Sequence, residues 1–268
     1  MKKMRNNVKT IDISDVDQET LFDGFADNYD LLLPNWENDL KEQAIILDRF
    51  FKKYAPKPLK KILDCTCGIG TQSIGLGLLG YDVTGTDISG KSIQRAIKEA
   101  RRMGVDIEFK KADIRLLSDS VTGNFDAVIS CDNSLPALLS EADVALGIAN
   151  MFQRLDPSGI CIISIRNYDR IFAEKKCFHP RQIHYIEGNR LIVFDVWDYQ
   201  NDEFLCLNVF YLYEQESGWK AECRPMVYRA IYTDDFIRIL KHTGFGKVDV
   251  INNLDGVPLQ FDYYICKP

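Results

Sequence analysis

The sequence predicts an α/β protein: a mostly parallel seven-stranded sheet with helices on both faces, plus a small antiparallel β layer inserted late in the chain. Three observations carry this. From Lys60 onward, short apolar runs alternate with amphipathic stretches, the pattern of a parallel sheet with crossover helices. Apolar Ile62 and Leu63 run into Asp64 and then into a turn holding Gly68 and Gly70, the form of an inner strand ending at a ligand-facing loop. After Arg166 the helical stretches cease, and β-like segments follow one another with turn signals at Gly188-Asn189 and Asn201-Asp202.

Residues 1–18 read as a polar arm. Apolar residues at helical spacing predict a first helix over 20–33, ended by Pro34, and a second whose stripe is Leu40, Ala44, Leu47, Phe51 and Tyr54, ended by Pro56. Strands follow at 62–64, 81–86, 107–110, 125–131 and 160–165. Helices between them are predicted at 71–79 and 89–103 and over the stretch carrying Leu138 to Leu155. The β layer comprises segments 182–187, 190–198, 204–213 and 219–232. A helix at 233–243, with Asp234 and Asp235 near its start and Gly244 past its end, leads to two final strands, 246–252 and 260–266.

Length and composition bound the function. The 268 residues can bury a substantial core, and 46% hydrophobic with 27% charged residues is ordinary for a globular enzyme. A net charge of −6 gives no general attraction to nucleic acid or anionic lipid, so a small-molecule partner is predicted, with no nucleic acid and no membrane. No run approaches the roughly 18 apolar residues of a membrane span, and Met1-Lys2-Lys3 is not followed by a signal-peptide core, which predicts a cytoplasmic protein. The eight cysteines read as reduced, buried thiols; Cys65-x-Cys67 lacks a second ligand pair, so no metal is assigned. A homo-oligomer is compatible with the sequence.

Three cofactor classes use a glycine turn after a first strand. The dinucleotide pattern G-x-G-x-x-G fails because Gly70 is followed by Thr71, Gln72 and Ser73, and no lysine stands where a Walker A loop needs one. The turn Asp64-x-Thr66-x-Gly68-x-Gly70 resembles the first motif of the class I S-adenosylmethionine-dependent methyltransferases, with Thr66 where glycine is frequent. That resemblance implies a Rossmann-like cofactor domain. Its ligand would be S-adenosyl-L-methionine, with S-adenosyl-L-homocysteine as product. Asp87, at the end of the second strand, would hold the ribose hydroxyls; Asp113 would accept from the adenine amino group, with Ile88 and Ile114 flanking the ring. Carboxylates at three successive strand ends make helix capping alone a poor explanation.

Two later stretches narrow the resemblance. Cys131-Asp132-Asn133-Ser134-Leu135 is similar to the L-G-N-S-F of glycine and glycine/sarcosine N-methyltransferases, and Arg166-Asn167-Tyr168-Asp169 is their R-N-Y-D. The family likeness implies that Cys131 belongs to the cofactor site and that Asn133 and Arg166 line the acceptor pocket, Arg166 gripping a carboxylate through its planar fork. It also implies that Tyr185 falls near the tyrosines covering the acceptor, and that Tyr29 and Trp36 are the aromatics closing over the cofactor. The implied organisation is an N-terminal helical segment (1–59) closing over the cofactor, a core (60–169), a β lid (170–232) and a C-terminal part completing the sheet (233–268). The chain departs from the family in three places: Asp132 replaces a glycine, Ile114 a tryptophan, and no arginine occurs between Asp12 and Arg49.

The resemblance implies methyl transfer to the amine of a small carboxylate-bearing acceptor such as glycine or sarcosine, with no catalytic residue assigned. Of the three histidines, His179 and His184 lie in the lid region. The alternatives are the same fold acting on another N-, O- or S-acceptor, or a catalytically inactive cofactor-binding protein. A nucleic-acid adenine methyltransferase is disfavoured, because D-N-S-L stands where a base-stacking N-P-P-Y would.

Overall fold

Alternation along the central strands sends successive side chains to opposite faces, and that explains how this sheet acquires two cores. The computed structural model describes residues 16–268; the arm predicted for 1–18 lies, up to residue 15, outside the described residues. Strands β1 (Lys61–Asp64), β2 (Asp82–Asp87), β3 (Glu108–Lys111), β4 (Phe125–Ser130), β5 (Leu155–Ile165), β10 (Lys247–Leu254) and β11 (Val257–Lys267) form one sheet in the order β10-β11-β5-β4-β1-β2-β3. Neighbours from β5 through β3 are parallel, whereas β11 runs antiparallel to both β5 and β10.

Leu63, Val128 and Ile163 turn to one face, beneath α5 (Glu141–Arg154) and α7 (Thr233–Thr243). Ile62, Ile129 and Ile162 turn to the other, beneath α2 (Trp36–Tyr54), whose Ala44, Leu47, Phe50 and Phe51 are buried. Each large apolar side chain so buried contributes roughly 1.5–3 kcal/mol. Helix α3 (Thr71–Leu78) also packs on α2, and so closely that a Cβ on Gly75 would lie 2.6 Å from the Leu40 carbonyl oxygen. Helix α4 (Gly90–Met103) follows β2 and ends at Gly104 in the left-handed conformation.

The inserted layer is a separate antiparallel sheet in the order β6-β7-β8-β9: β6 (Phe178–Ile186), β7 (Asn189–Gln200), β8 (Phe204–Gln215) and β9 (Gly218–Arg229). Its inner face carries Leu191, Val193, Trp197, Leu207 and Tyr228, which bury Phe25, Tyr168 and Phe172.

One predicted element differs and one unpredicted element appears. The helix expected over 20–33 is broken into α1 (Gln18–Phe25) and a single 3-10 turn (Tyr29–Leu32); the chain bends between them, where Arg95 takes the Ala26 carbonyl (2.7 Å) and the Asp30 carboxylate (2.8 Å). A short helix absent from the sequence reading, α6 (Tyr168–Glu174), follows β5, capped by the Asn167 side chain accepting from Arg170 N (2.7 Å). Among the described residues, no helix is long and apolar enough to cross a membrane.

Candidate active site

The carboxyl ends of β1, β2, β4 and β5 open onto a cavity of about 320 Å³, walled on the far side by α1, the Tyr29–Leu32 turn and the second sheet. A pocket at this edge is where open α/β sheets place ligands.

Its floor is the turn after β1. Gly68 (φ 53°) and Gly70 (φ 94°) are both left-handed, a conformation that disfavours any side chain. Gly70 caps α3, and a Cβ there would meet Ile74 Cδ1 at 2.8 Å, whereas one on Gly68 would meet nothing within 4 Å. Gly68 and Thr66 line the cavity; Gly70 and Asp64 lie behind it. Asp64 is fully buried and accepts from Ser73 Oγ (2.7 Å), stitching β1 to α3. Burial, with Asp87 and Asp132 nearby, pushes its carboxyl up to about 7 against the Ser73 and Thr66 hydrogen bonds.

Asp87 lines the cavity at the end of β2, with Oδ2 accepting from Gly68 N (2.9 Å) and Oδ1 from Ser89 N (2.8 Å); burial raises its carboxyl to about 6. Asp113 also lines the cavity, and Arg115 grips both its oxygens (2.6–3.0 Å) and donates its backbone N–H to Oδ1. Burial would raise the Asp113 carboxyl, but Arg115 outweighs it and holds it below the usual range. Ile88 and Ile114 stand in the wall beside them.

The opposite half is built at the ends of β4 and β5. Asn133 is fully buried; its Oδ1 accepts from Arg166 N (3.0 Å) and its Nδ2 donates to the Tyr168 hydroxyl (3.0 Å). The Arg166 guanidinium carbon sits 5.6–5.9 Å from the ring centres of Trp197, Tyr228 and Phe261, and Nη1 is shielded from solvent with no hydrogen-bond partner. Tyr29 lines the same space, and burial raises its hydroxyl pKa.

Three predicted residues are placed elsewhere. Tyr185 is 74% exposed, because strand alternation turns His184 inward, to the Leu31 carbonyl (2.9 Å), and Tyr185 outward. Trp36 packs beneath the glycine turn with Leu40, Ile69 and Ile74, its indole N–H donating to Thr71 Oγ1 (2.9 Å), and does not line the cavity. Cys131 is buried under the β4 end among the apolar residues of the α2 face.

Residues that the sequence reading missed complete the pocket. Arg181 sits at a register shift in β6, between Pro180 and Gln182, where a bulged residue leaves the regular alternation; its Nε donates to the buried Asp195 (2.6 Å). Burial would lower its pKa, but the Asp195 partner outweighs this and raises it. Gln43 and Gln72 line the same side, as does Asp132, the carboxylate already singled out where the family has glycine, and none of the three histidines does.

Residues 62–159 match the family described as a methyltransferase domain. A glycine/sarcosine N-methyltransferase of Aphanothece halophytica is 30% identical over 183 residues, covering 68% of this chain and 67% of that one. One from Halorhodospira halochloris is 31% identical over 153 residues, and the match spans 57% of this chain and a little over half of the relative's own length, 56%. Among solved structures, the CcbJ methyltransferase from Streptomyces caelestis superposes with a TM-score of 0.76 at 16% identity, covering 94% of this chain and 99% of that one, a likeness of fold.

The chain belongs to the class I S-adenosylmethionine-dependent methyltransferases. Within them it is similar to the glycine/sarcosine N-methyltransferases. The cavity suits that family's cofactor: open space at Gly68, a carboxylate at Asp87, and apolar Ile88 and Ile114 in the wall.

Proposed function

We propose that this protein methylates the amine nitrogen of a small carboxylate-bearing acceptor such as glycine or sarcosine. The observation that carries this reading is Arg166 Nη1, a guanidinium donor shielded from water, without a partner, in the cavity wall. A buried unpaired donor costs roughly 1–3 kcal/mol, more when charged, and a bound carboxylate removes that cost.

S-adenosylmethionine, when bound, supplies a methyl group on a cationic sulfur, so the protein's task is positioning and exclusion of water. In this reading Asp87, Asp113, Ile88 and Ile114 hold the nucleoside, and Thr66 and Gly68 present the turn to its sulfur-bearing tail. Asn133 fixes the backbone from which Arg166 reaches the acceptor carboxylate. Tyr29, Tyr228 and Phe261 close the space around the amine and keep water out. The names of the relatives support an amino-acid acceptor.

The test is transfer from labelled cofactor to a panel of amines with and without a carboxylate. Carboxylate-bearing amines are expected to react. Arg166→Ala should lower their kcat/KM by about a hundredfold, since truncating one side of a buried charged pair costs roughly 2–5 kcal/mol. Binding of S-adenosylhomocysteine should be unchanged. Transfer confined to carboxylate-free acceptors, or an Arg166→Ala enzyme as active as the parent, would overturn the assignment.

A further inference from the structure

Asp132 stands where the related motif has glycine, and the backbone shows why glycine would be easier. Asp132 (φ 56°) and Asn133 (φ 67°) are consecutive non-glycine residues in the left-handed region, an arrangement that stores strain. Ser164 holds the pair in place: its hydroxyl accepts from Asp132 N (2.9 Å) and its carbonyl from Asn133 N (3.0 Å). The carboxylate so placed lines the cavity, and Oδ1 is shielded from solvent with no hydrogen-bond partner. Arg166 Nη1, in the wall of the same cavity, is also shielded and unpartnered. Two residues of opposite charge in the wall of one cavity, each with a shielded atom that no hydrogen bond satisfies, are the complement of a zwitterion, one end carboxylate and the other ammonium.

The groups around Asp132 are Asp39 and Gln43 from α2, Gln72 from α3, Asp64 from β1, Arg166 from the end of β5, Tyr263 from β11, and Tyr29 and Cys131. Burial raises the Asp132 carboxyl, and Gln72, Gln43 and Arg166 offset this only in part, leaving it more basic than an ordinary carboxylate.

We propose that Asp132 binds the acceptor's ammonium group and is the base that takes its proton. This rests on the reading of the acceptor as an amine with a carboxylate. An ammonium nitrogen has no lone pair and cannot accept a methyl group. Transfer of one N–H proton to the Asp132 carboxylate breaks the N–H bond, forms an O–H bond and leaves the electron pair on nitrogen. That neutral amine can form an N–C bond as the methyl group's bond to sulfur breaks, the electron pair leaving on the neutral thioether, and it becomes a methylated ammonium ion. The proton on Asp132 passes to solvent once product leaves, so each turnover releases one proton and restores the carboxylate.

The test is the pH profile of kcat/KM for the full chain and for Asp132→Asn, a substitution that suits a positive φ, with the same amine panel. The parent's rate should rise with pH as Asp132 ionises and level off below the acceptor amine's own titration. In Asp132→Asn the rate at neutral pH should fall by roughly a hundredfold or more, within the range for loss of a general base. It should then climb with pH to the amine's titration, and the deficit should shrink for weakly basic amines. Affinity for S-adenosylhomocysteine, measured by calorimetry, should hold in both. Asp132→Glu, which keeps a carboxylate, should retain the parent's profile shape at lower rate.

A parental pH profile in Asp132→Asn, or identical profiles in the Asn and Glu variants, would overturn the proposal. Transfer confined to amines lacking a carboxylate would overturn the acceptor reading alone, because the Asp132 profile is then read on those amines. Transfer to hydroxyls or thiols and to no amine, or no transfer at all, overturns both.

Discussion

The two halves of the cavity are built on opposite principles. At the ends of β1 to β3 the polar groups are partnered within the protein: Asp64 by Ser73, Asp87 by the Gly68 and Ser89 amides, Asp113 by Arg115. At the ends of β4 and β5 Asn133 is partnered by Arg166 N and Tyr168, but Asp132 Oδ1, on the strained Asp132-Asn133 pair, and Arg166 Nη1 have no hydrogen-bond partner. The first half presents mostly backbone and satisfied carboxylates, a surface that many enzymes could share for one common ligand. The second keeps its strongest groups unspent for whatever it binds. In the proposed function, the first half holds the cofactor and the second the acceptor.

The largest effect is expected at Asp87. Asp87→Ala should remove the receiver of two hydroxyls and the partner of the Gly68 amide, weakening S-adenosylhomocysteine binding by at least tenfold in calorimetry, as losing charge-assisted hydrogen bonds of roughly 1.5–3 kcal/mol implies. Unchanged affinity would remove Asp87 from the cofactor site.

A smaller and more discriminating effect separates the two glycines. Gly70→Ala combines a positive φ with a 2.8 Å approach to Ile74, so thermal unfolding should show a loss of roughly 1–3 kcal/mol. Gly68→Ala, with open space around its Cβ, should be the milder change in unfolding but the stronger in cofactor affinity, because that Cβ has no neighbour in the floor of the cavity. The reverse order would mean that Gly68 is structural and Gly70 faces the ligand.

The smallest effect is expected at Tyr185. With its ring 74% exposed on the outer face of β6, Tyr185→Ala should leave both activity and stability within about 0.5 kcal/mol of the parent. A marked loss of acceptor turnover would show that this strand rearranges when ligand binds.

Much of the cofactor half was legible because its residues sit in short local patterns. A strand, an acidic end and a glycine turn are neighbours in sequence, so Asp64, Gly68, Asp87 and Asp113 announced themselves, although only the structure shows that Asp64 and Gly70 support the turn from behind. Asn133 and Arg166 are legible through the resemblance of the stretches around them to family motifs. Helix α6 was missed although Asn167 is a good cap, because its seven residues are too few to show a clear apolar period. Trp36 was read as a cavity aromatic, but the helical face it shares with Leu40 turns it to the back of the glycine turn. Arg181 left no sequence signal: its direction depends on a register shift in β6, and its partner Asp195 lies on the next strand.

The sheet and the strand ends that carry carboxylates are legible in the chain because apolar periodicity and glycine placement are local properties, whereas the class of ligand is legible only through the resemblance of the glycine turn to a family motif. Which distant side chains share the far half of the cavity is set by tertiary structure. Arg181 enters and Tyr185 leaves because register and bulges, not residue type, set the side of a strand from which a side chain emerges, and one residue of shift reverses it.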